Sequence, residues 1–195
     1  MCIRDRSSAD LRKSDFTNAN LKNANLKGAC LKNSCFRNAI LSGADLQGAD
    51  LSKTFFAGSD LKGANLNETD CQGVKFNNAE LHGCTFQRAN LKKVDLSNLD
   101  LRNSNLCGVR LFKTDLRNSL LSNANLMAAY LSSAIMEDTD LQWANLENAT
   151  LRYATNLTPS QIQSAKIDRE TKLPHYLEVH WISDNNFHCK LITDT

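Results

Sequence analysis

A five-residue period runs without a slip from Ala9 to Tyr153, and few folds can accommodate it. Every fifth residue from Leu11 to Leu151 is apolar: 22 Leu, five Phe, Met136 and Cys71, over 29 repeats. An α-helix would carry these central residues around its axis in steps of about 140° and bury no single face. A flat strand would send successive ones to opposite faces. A backbone that turns one corner per repeat succeeds, because every central side chain then points at a common axis. Short-period repetition of this kind is the mark of a solenoid.

The number of repeats in one coil is set by the phenylalanines. Phe16, Phe36, Phe56 and Phe76 are 20 residues apart, the spacing that stacks ring on ring if four repeats complete a coil. The same column continues as Leu96, Leu116 and Met136, and the next, from Leu21 through Leu141, is all Leu. The expected shape is a four-sided rod of about seven coils, spaced like strands at about 4.8 Å and roughly 35 Å long. Two residues before each central position stands a small one in 28 of 29 repeats, so large and small side chains alternate inside. Leu99 is the exception and is expected to widen its coil. Asn or Gly stands two residues after the central position in 18 repeats, where a tight turn is required.

The runs Ala19-Asn20-Leu21-Lys22-Asn23, Ala44-Asp45-Leu46-Gln47-Gly48 and Ala144-Asn145-Leu146-Glu147-Asn148 follow the pattern A(D/N)LXX. In this the chain resembles the pentapeptide repeat family. The resemblance implies an all-β solenoid, a right-handed quadrilateral β-helix. It is far less specific about function, because folds of this kind host many.

After Tyr153 the repeat stops. Thr158-Pro159-Ser160-Gln161 reads as a helix start, with Thr as N-cap, Pro first and Gln three after the cap. The helix is expected to reach about Lys166 and to cover the open end of the solenoid with Ile162, Ala165 and Ile167. Beyond Pro174, residues 178–182 and 187–192 read as a short hairpin around Ser183-Asp184-Asn185-Asn186. The resulting division is 1–8 non-repeat, 9–153 β-helix, 154–173 capping helix and 174–195 tail. Residues 1–8 match nothing, so the chain is expected to be truncated upstream or to start with non-native sequence.

Charge is balanced overall, 23 basic against 21 acidic residues, so bulk electrostatics names no partner. With no apolar run of 18 residues and no secretory leader, a cytoplasmic location is expected. The seven cysteines form no CxxC pair, which points to free thiols. Cys30 and Cys35 lie one repeat apart but are expected to diverge around a corner. His180, His188 and Cys189 would approach one another in the hairpin, although their spacing matches no standard zinc site. Asp45, Asp50, Asp60 and Asp70 recur because the repeat does, and read as turn-bonding or solvated groups. A filled rod offers no concavity for catalysis, and no phosphate-loop or triad motif stands out. An enzyme is not expected, nor any cofactor, metal or small-molecule substrate.

Sorting by the 20-residue period separates the faces. One carries Arg12, Lys13, Lys32, Lys53, Lys92, Lys93, Arg110, Lys113 and Arg152 against only Asp10, Asp50 and Asp70. The other three carry eight basic and twelve acidic residues together. Such a stripe suits anionic partners, nucleic acid or membrane headgroups among them, but it also serves simply to keep an exposed sheet soluble. Its C-terminal half adds Phe112, Tyr130 and Tyr153, and Leu120, Ile135 and Trp143 point outward on neighbouring faces. Aromatic residues beside Arg are typical of binding hot spots. The chain's own tail is expected to cover them, with a homodimer through the C-terminal end as the alternative.

The leading functional reading is a non-enzymatic scaffold or protein-interaction module with an unidentified protein partner. Its candidate surface is Lys32, Lys53, Lys92, Lys93, Arg110, Phe112, Lys113, Tyr130, Arg152 and Tyr153. Family members that protect gyrase from quinolones resemble B-form DNA in shape and charge, so the resemblance implies a topoisomerase-binding DNA mimic as a second reading. This chain departs from it in its net charge of +2, its basic face and its uninterrupted coils. Direct binding of nucleic acid or membrane headgroups through the basic face is the third.

Overall fold

The computed structural model describes residues 9–184 and 186–192. The N-terminal segment 1–8 lies outside them. From Asp10 onward the chain winds into a solenoid in which nearly every residue before a central position pairs in parallel with the residue 20 further on, as in Asp10↔Cys30, Asp15↔Cys35, Asn20↔Ile40 and Asn25↔Asp45. Four parallel ladders therefore run along the rod, one per side.

Each corner is built the same way. The small residue's N–H donates to the carbonyl of the preceding central residue, as from Ala24 to Leu21 at 3.0 Å. The residue before it holds positive φ, the pattern of a type II turn. The positive φ holds at all 29 corners, including those occupied by Lys13, Lys53, Lys93, Arg88, Trp143 and Tyr153, residues with no intrinsic taste for that region. The ladder bonds on either side over-determine the conformation and impose it. Asp and Asn support it from outside: the carboxylates of Asp45, Asp50, Asp60 and Asp70 accept the N–H two residues on, at 2.9–3.1 Å.

The interior is a dry stack. Phe16, Phe36, Phe56 and Phe76 lie ring over ring with centroids 4.7, 5.0 and 5.5 Å apart. Nearly all the central Leu residues are fully buried. Where Ser or Thr replaces the small Ala, its hydroxyl donates to a central carbonyl, as Thr54 to Leu31 and Thr114 to Leu91, both at 2.8 Å, so no buried polar group is left unpaired there. Leu99 does disturb its coil. Among the described residues, the bridges Lys75↔Asp95 and Glu80↔Asp100 are missing on the two sides that flank it. Leu99 stacks over Ala79, and in the coil of Ala79 the rings of Phe76 and Phe86 already meet edge to face at 6.3 Å. There is too much side chain here for the usual spacing, so the ladder opens locally.

The repeat pattern ends at Tyr153, but the coil does not. Asn145 pairs with Lys166 and Thr150 with Lys172, so a last, irregular turn continues two ladders. Helix α1 (Pro159–Ser164) sits where a third would continue. Thr158 and Gln161 form a reciprocal capping box, and the Gln161 side-chain amide donates to the carbonyls of Met136 and Thr139 at 2.9 and 2.8 Å, completing the last regular coil. The helix stops at Ser164, short of Lys166, because Lys166 is drawn into the ladder by its N–H bond to the Ala144 carbonyl at 2.8 Å. Strands β1 (Leu177–Ser183) and β2 (Asn186–Leu191) form an antiparallel hairpin. Leu177 and Cys189 are buried against the end of the core, and the Tyr176 hydroxyl donates to the Ala154 carbonyl and accepts from the Leu157 N–H. No helix among the described residues is long and apolar enough to cross a membrane.

Candidate functional site

The tail closes the end of the rod and leaves the aromatic cluster uncovered, contrary to the expectation from sequence. Tyr130 is 56% exposed, Tyr153 70% and Trp143 71%. The reason is that Leu177, Val179, Trp181, Phe187 and Cys189 are drawn to the open core at the rod's end, where more apolar surface can be buried than on a flat side. The possible metal ligands of the tail part company. His180 and His188 face each other across the outer side of the hairpin, while Cys189, one residue on, points inward. The His180 Nε2 lies 3.2 Å from a Glu178 carboxylate oxygen instead. Cys30 and Cys35 are both free thiols, and burial pushes the thiols of Cys71 and Cys84 up to about 12, which leaves them inert.

Ion pairing distinguishes the faces. On the other sides, Lys62 pairs with Glu80, Arg102 with Asp100 and Arg117 with Asp115. The Arg102 side-chain hydrogen bond holds Asp100 down at about 2, and Arg117 lowers Asp115 in the same way. On the basic face, only Arg12, bonded to Asp10, has an ion-pair partner among the described residues. Lys13, Lys32, Lys53, Lys92, Lys93, Arg110, Lys113 and Arg152 are exposed, and none has a carboxylate partner there. Lys113 instead places its Nζ 5.3 Å from the centre of the Phe112 ring.

Four of the candidate residues come together. Lys92, Arg110, Phe112 and Tyr130 line a groove of about 770 Å³ that also takes in Arg88. Its floor is made of short residues: Cys107, Gly108, Ala128 and Ser132. The period explains the concavity. Arg88, Gly108 and Ala128 occupy one corner column, so two nearly bare corners follow an arginine, and the next outward column runs Arg110 to Tyr130 as ladder partners. Charge is one-sided, since three cations and no carboxylate line the groove. Lys113 borders it through Phe112, and Lys93 follows Lys92 in sequence. Arg152 and Tyr153 lie further toward the capped end. Lys53 and Lys32 lie several coils the other way, Lys32 beside Asp10 and Arg12 in a separate shallow hollow. Sorting residues by face misses Arg88, because it belongs to the adjacent side and meets the basic face only across the corner. The signal available in sequence is the pair of small corner residues, Gly108 and Ala128, beside Arg110 and Tyr130.

Comparison with known proteins gives a consistent family. A model of the pentapeptide repeat region matches residues 29–106. A model of eight pentapeptide repeat copies matches 7–38, 110–148 and 124–155. Comparison with curated proteins finds no match. Among solved structures, a trypsin-treated variant of QnrB1, a plasmid-mediated fluoroquinolone resistance protein, is 21% identical over 90% of this chain and 87% of that one, with a TM-score of 0.49. HetL, a pentapeptide repeat protein involved in heterocyst differentiation regulation in the cyanobacterium Nostoc sp. strain PCC 7120, is 27% identical over 85% and 81%, with a TM-score of 0.35. A pentapeptide repeat protein from the thylakoid lumen of Arabidopsis thaliana is 24% identical over 64% and 66%, with a TM-score of 0.23. With its unbroken five-residue period, its four parallel ladders and two family models spanning nearly all of that stretch, this chain belongs to the pentapeptide repeat family.

Proposed function

We propose that the chain is a non-enzymatic interaction module, a stiff rod that offers its basic face to an anionic partner. The observation that carries this reading is the contrast in pairing. Three of the eight cations on the other faces are neutralised by a carboxylate, two residues back or on the next coil, while eight of the nine on the basic face have no carboxylate partner among the described residues. Unpaired charge on a rigid scaffold attracts and orients an oppositely charged surface with little reorganisation. The rod interior supports a non-catalytic role, since it is filled mainly by Leu, Phe and Ala, and its buried Ser and Thr hydroxyls are taken up by backbone carbonyls. DNA mimicry is disfavoured by the same face, because a mimic needs negative potential where this rod is positive. A homodimer through the capped end is a lesser reading, supported by the exposed Trp143, Tyr153 and Ile182.

Affinity capture from native lysate tests the proposal, with the wild-type chain set against one in which Lys92, Lys93, Arg110 and Lys113 are all changed to Glu. The expected result is a partner retained by the wild type, released by moderate salt and missing from the variant. Equal retention by both chains would overturn the basic-face reading.

A further inference from the structure

The groove at the corner between Arg88 and Tyr130 combines features that the hollow at Asp10, Arg12 and Lys32 does not, since that one holds a carboxylate and no aromatic ring. It is concave, and its size falls within the range of about 300–1,000 Å³ common to ligand sites. Its charges are Arg88, Lys92 and Arg110, all exposed, with no carboxylate among the lining residues to neutralise them. Beside them stand two aromatic rings, the half-buried Phe112 and the 56% exposed Tyr130. Arg110 and Tyr130 are ladder partners on adjacent coils, so a cation and a ring are held side by side at the spacing of the sheet, about 4.8 Å. Because the backbone beneath them is fixed by the ladder, only their side-chain rotamers have to be ordered when a ligand binds. Arg110 donates to the carbonyl-rich ladder only through its backbone N–H, at 2.9 Å to Ala89, which leaves the guanidinium free to point outward.

We propose that this groove binds single-stranded nucleic acid, with phosphates at Arg88, Lys92 and Arg110 and a base stacked on Tyr130. A positively charged groove with an exposed ring is the arrangement that holds an unpaired strand, because each base offers a flat apolar face and each link a phosphate. A duplex keeps its bases stacked inside and has no use for Tyr130. A lipid headgroup supplies the phosphate but no ring. An acidic peptide supplies carboxylates but needs no aromatic platform. Arg88 lies off the basic face, so the site is a feature of the corner and not simply of the stripe. The proposal rests on the basic-face reading and deepens it by naming the partner's chemistry.

The test is fluorescence anisotropy with the full chain and fluorescein-labelled oligothymidylate and oligouridylate of about twelve nucleotides, within the usual range of single-strand site sizes. The two probes separate DNA from RNA, and tighter binding of either one supports the proposal. Binding should weaken with salt with a log–log slope on the order of −2, as expected for three phosphate contacts. Changing Arg88 and Arg110 to Ala should lower affinity by about tenfold or more and flatten that slope. Tyr130→Ala should lower affinity by about fivefold or more at an unchanged slope, and Tyr130→Phe should restore it.

Duplex DNA of the same length binding as tightly as the single strand would overturn the proposal. So would unchanged affinity in Tyr130→Ala, or binding of phosphatidylserine vesicles where neither oligonucleotide binds. If the oligonucleotides fail to bind while changing Lys32, Lys53 and Lys93 to Glu still weakens retention of an anionic lysate partner, the groove proposal falls and the basic-face reading stands. If charge reversal has no effect on any anionic probe, both fall.

Discussion

Replacing Phe56 with Ala lowers the free energy of unfolding by about 3–5 kcal/mol. The side chain is completely buried and stacks on both sides, on Phe36 at 5.0 Å and on Phe76 at 5.5 Å. Removing it leaves a void in the middle of the stack that the neighbouring coils cannot fill. Each Leu in the next columns is held at its height by ladder bonds such as Leu51 N–H to the Asp70 carbonyl at 2.8 Å and Leu61 N–H to the Glu80 carbonyl at 2.9 Å. The two lost ring contacts add about 0.5–1.5 kcal/mol each to the burial they accompany. Phe56→Leu should cost much less, since Leu96 and Leu116 fill the same column further along. Urea unfolding followed by circular dichroism measures both. Equal loss in the two variants would mean that the ring stack, which both lose, and not the buried volume, which only Ala gives up, sets the stability of this column.

Ile162→Asp is expected to be as damaging for a different reason. Ile162 is fully buried and is the one apolar side chain that α1 places wholly over the last coil. Losing its burial costs about 1.5–3 kcal/mol, and a carboxyl group put in its place must be desolvated or protonated, for a total of about 3–5 kcal/mol. Burial raises the pKa of that carboxyl above its unfolded value, so the deficit is full at neutral pH and shrinks as pH falls through the raised value. Loosening α1 also frees the carbonyls of Met136 and Thr139 from Gln161 and exposes a ladder edge. Sedimentation velocity should therefore show association that grows with concentration. A variant that associates no more than the wild type and loses under about 1 kcal/mol would show that the hairpin alone closes the rod.

The rod was legible in the sequence because its two controlling numbers are both periods. The spacing of five places one residue per corner inside, and the spacing of 20 between Phe16 and Phe36 becomes a ring contact of 4.7 Å. Leu99 also carried its meaning in the sequence, since a large residue at a small position has to push coils apart. The tail was not legible in the same way. Its turn and cap signals locate α1 and the hairpin, but which surface they cover depends on how much apolar area each offers. The open end of the core outcompetes the side where Tyr130 and Tyr153 lie. Nor does any pattern in residues 154–173 announce that Lys166 and Lys172 continue two ladders, because insertions of one and two residues break the register. The groove was half visible. Lys92, Arg110, Phe112 and Tyr130 stood out by charge and aromaticity, while Arg88 did not, because a sort by sides cuts the rod at the corner where these residues meet.

The proposed function turns on the arrangement of charge and not on its amount, and a matched pair of variants separates the two. In one, Lys92, Lys93, Arg110 and Lys113 on the basic face become Glu; in the other, Lys22, Lys27, Arg37 and Lys75 on the remaining sides do, with the same change in net charge. The measurement is the salt concentration at which each elutes from a heparin column. The face reading predicts that the first variant elutes far earlier than the wild type and the second close to it. Coincident elution of the two variants would contradict it.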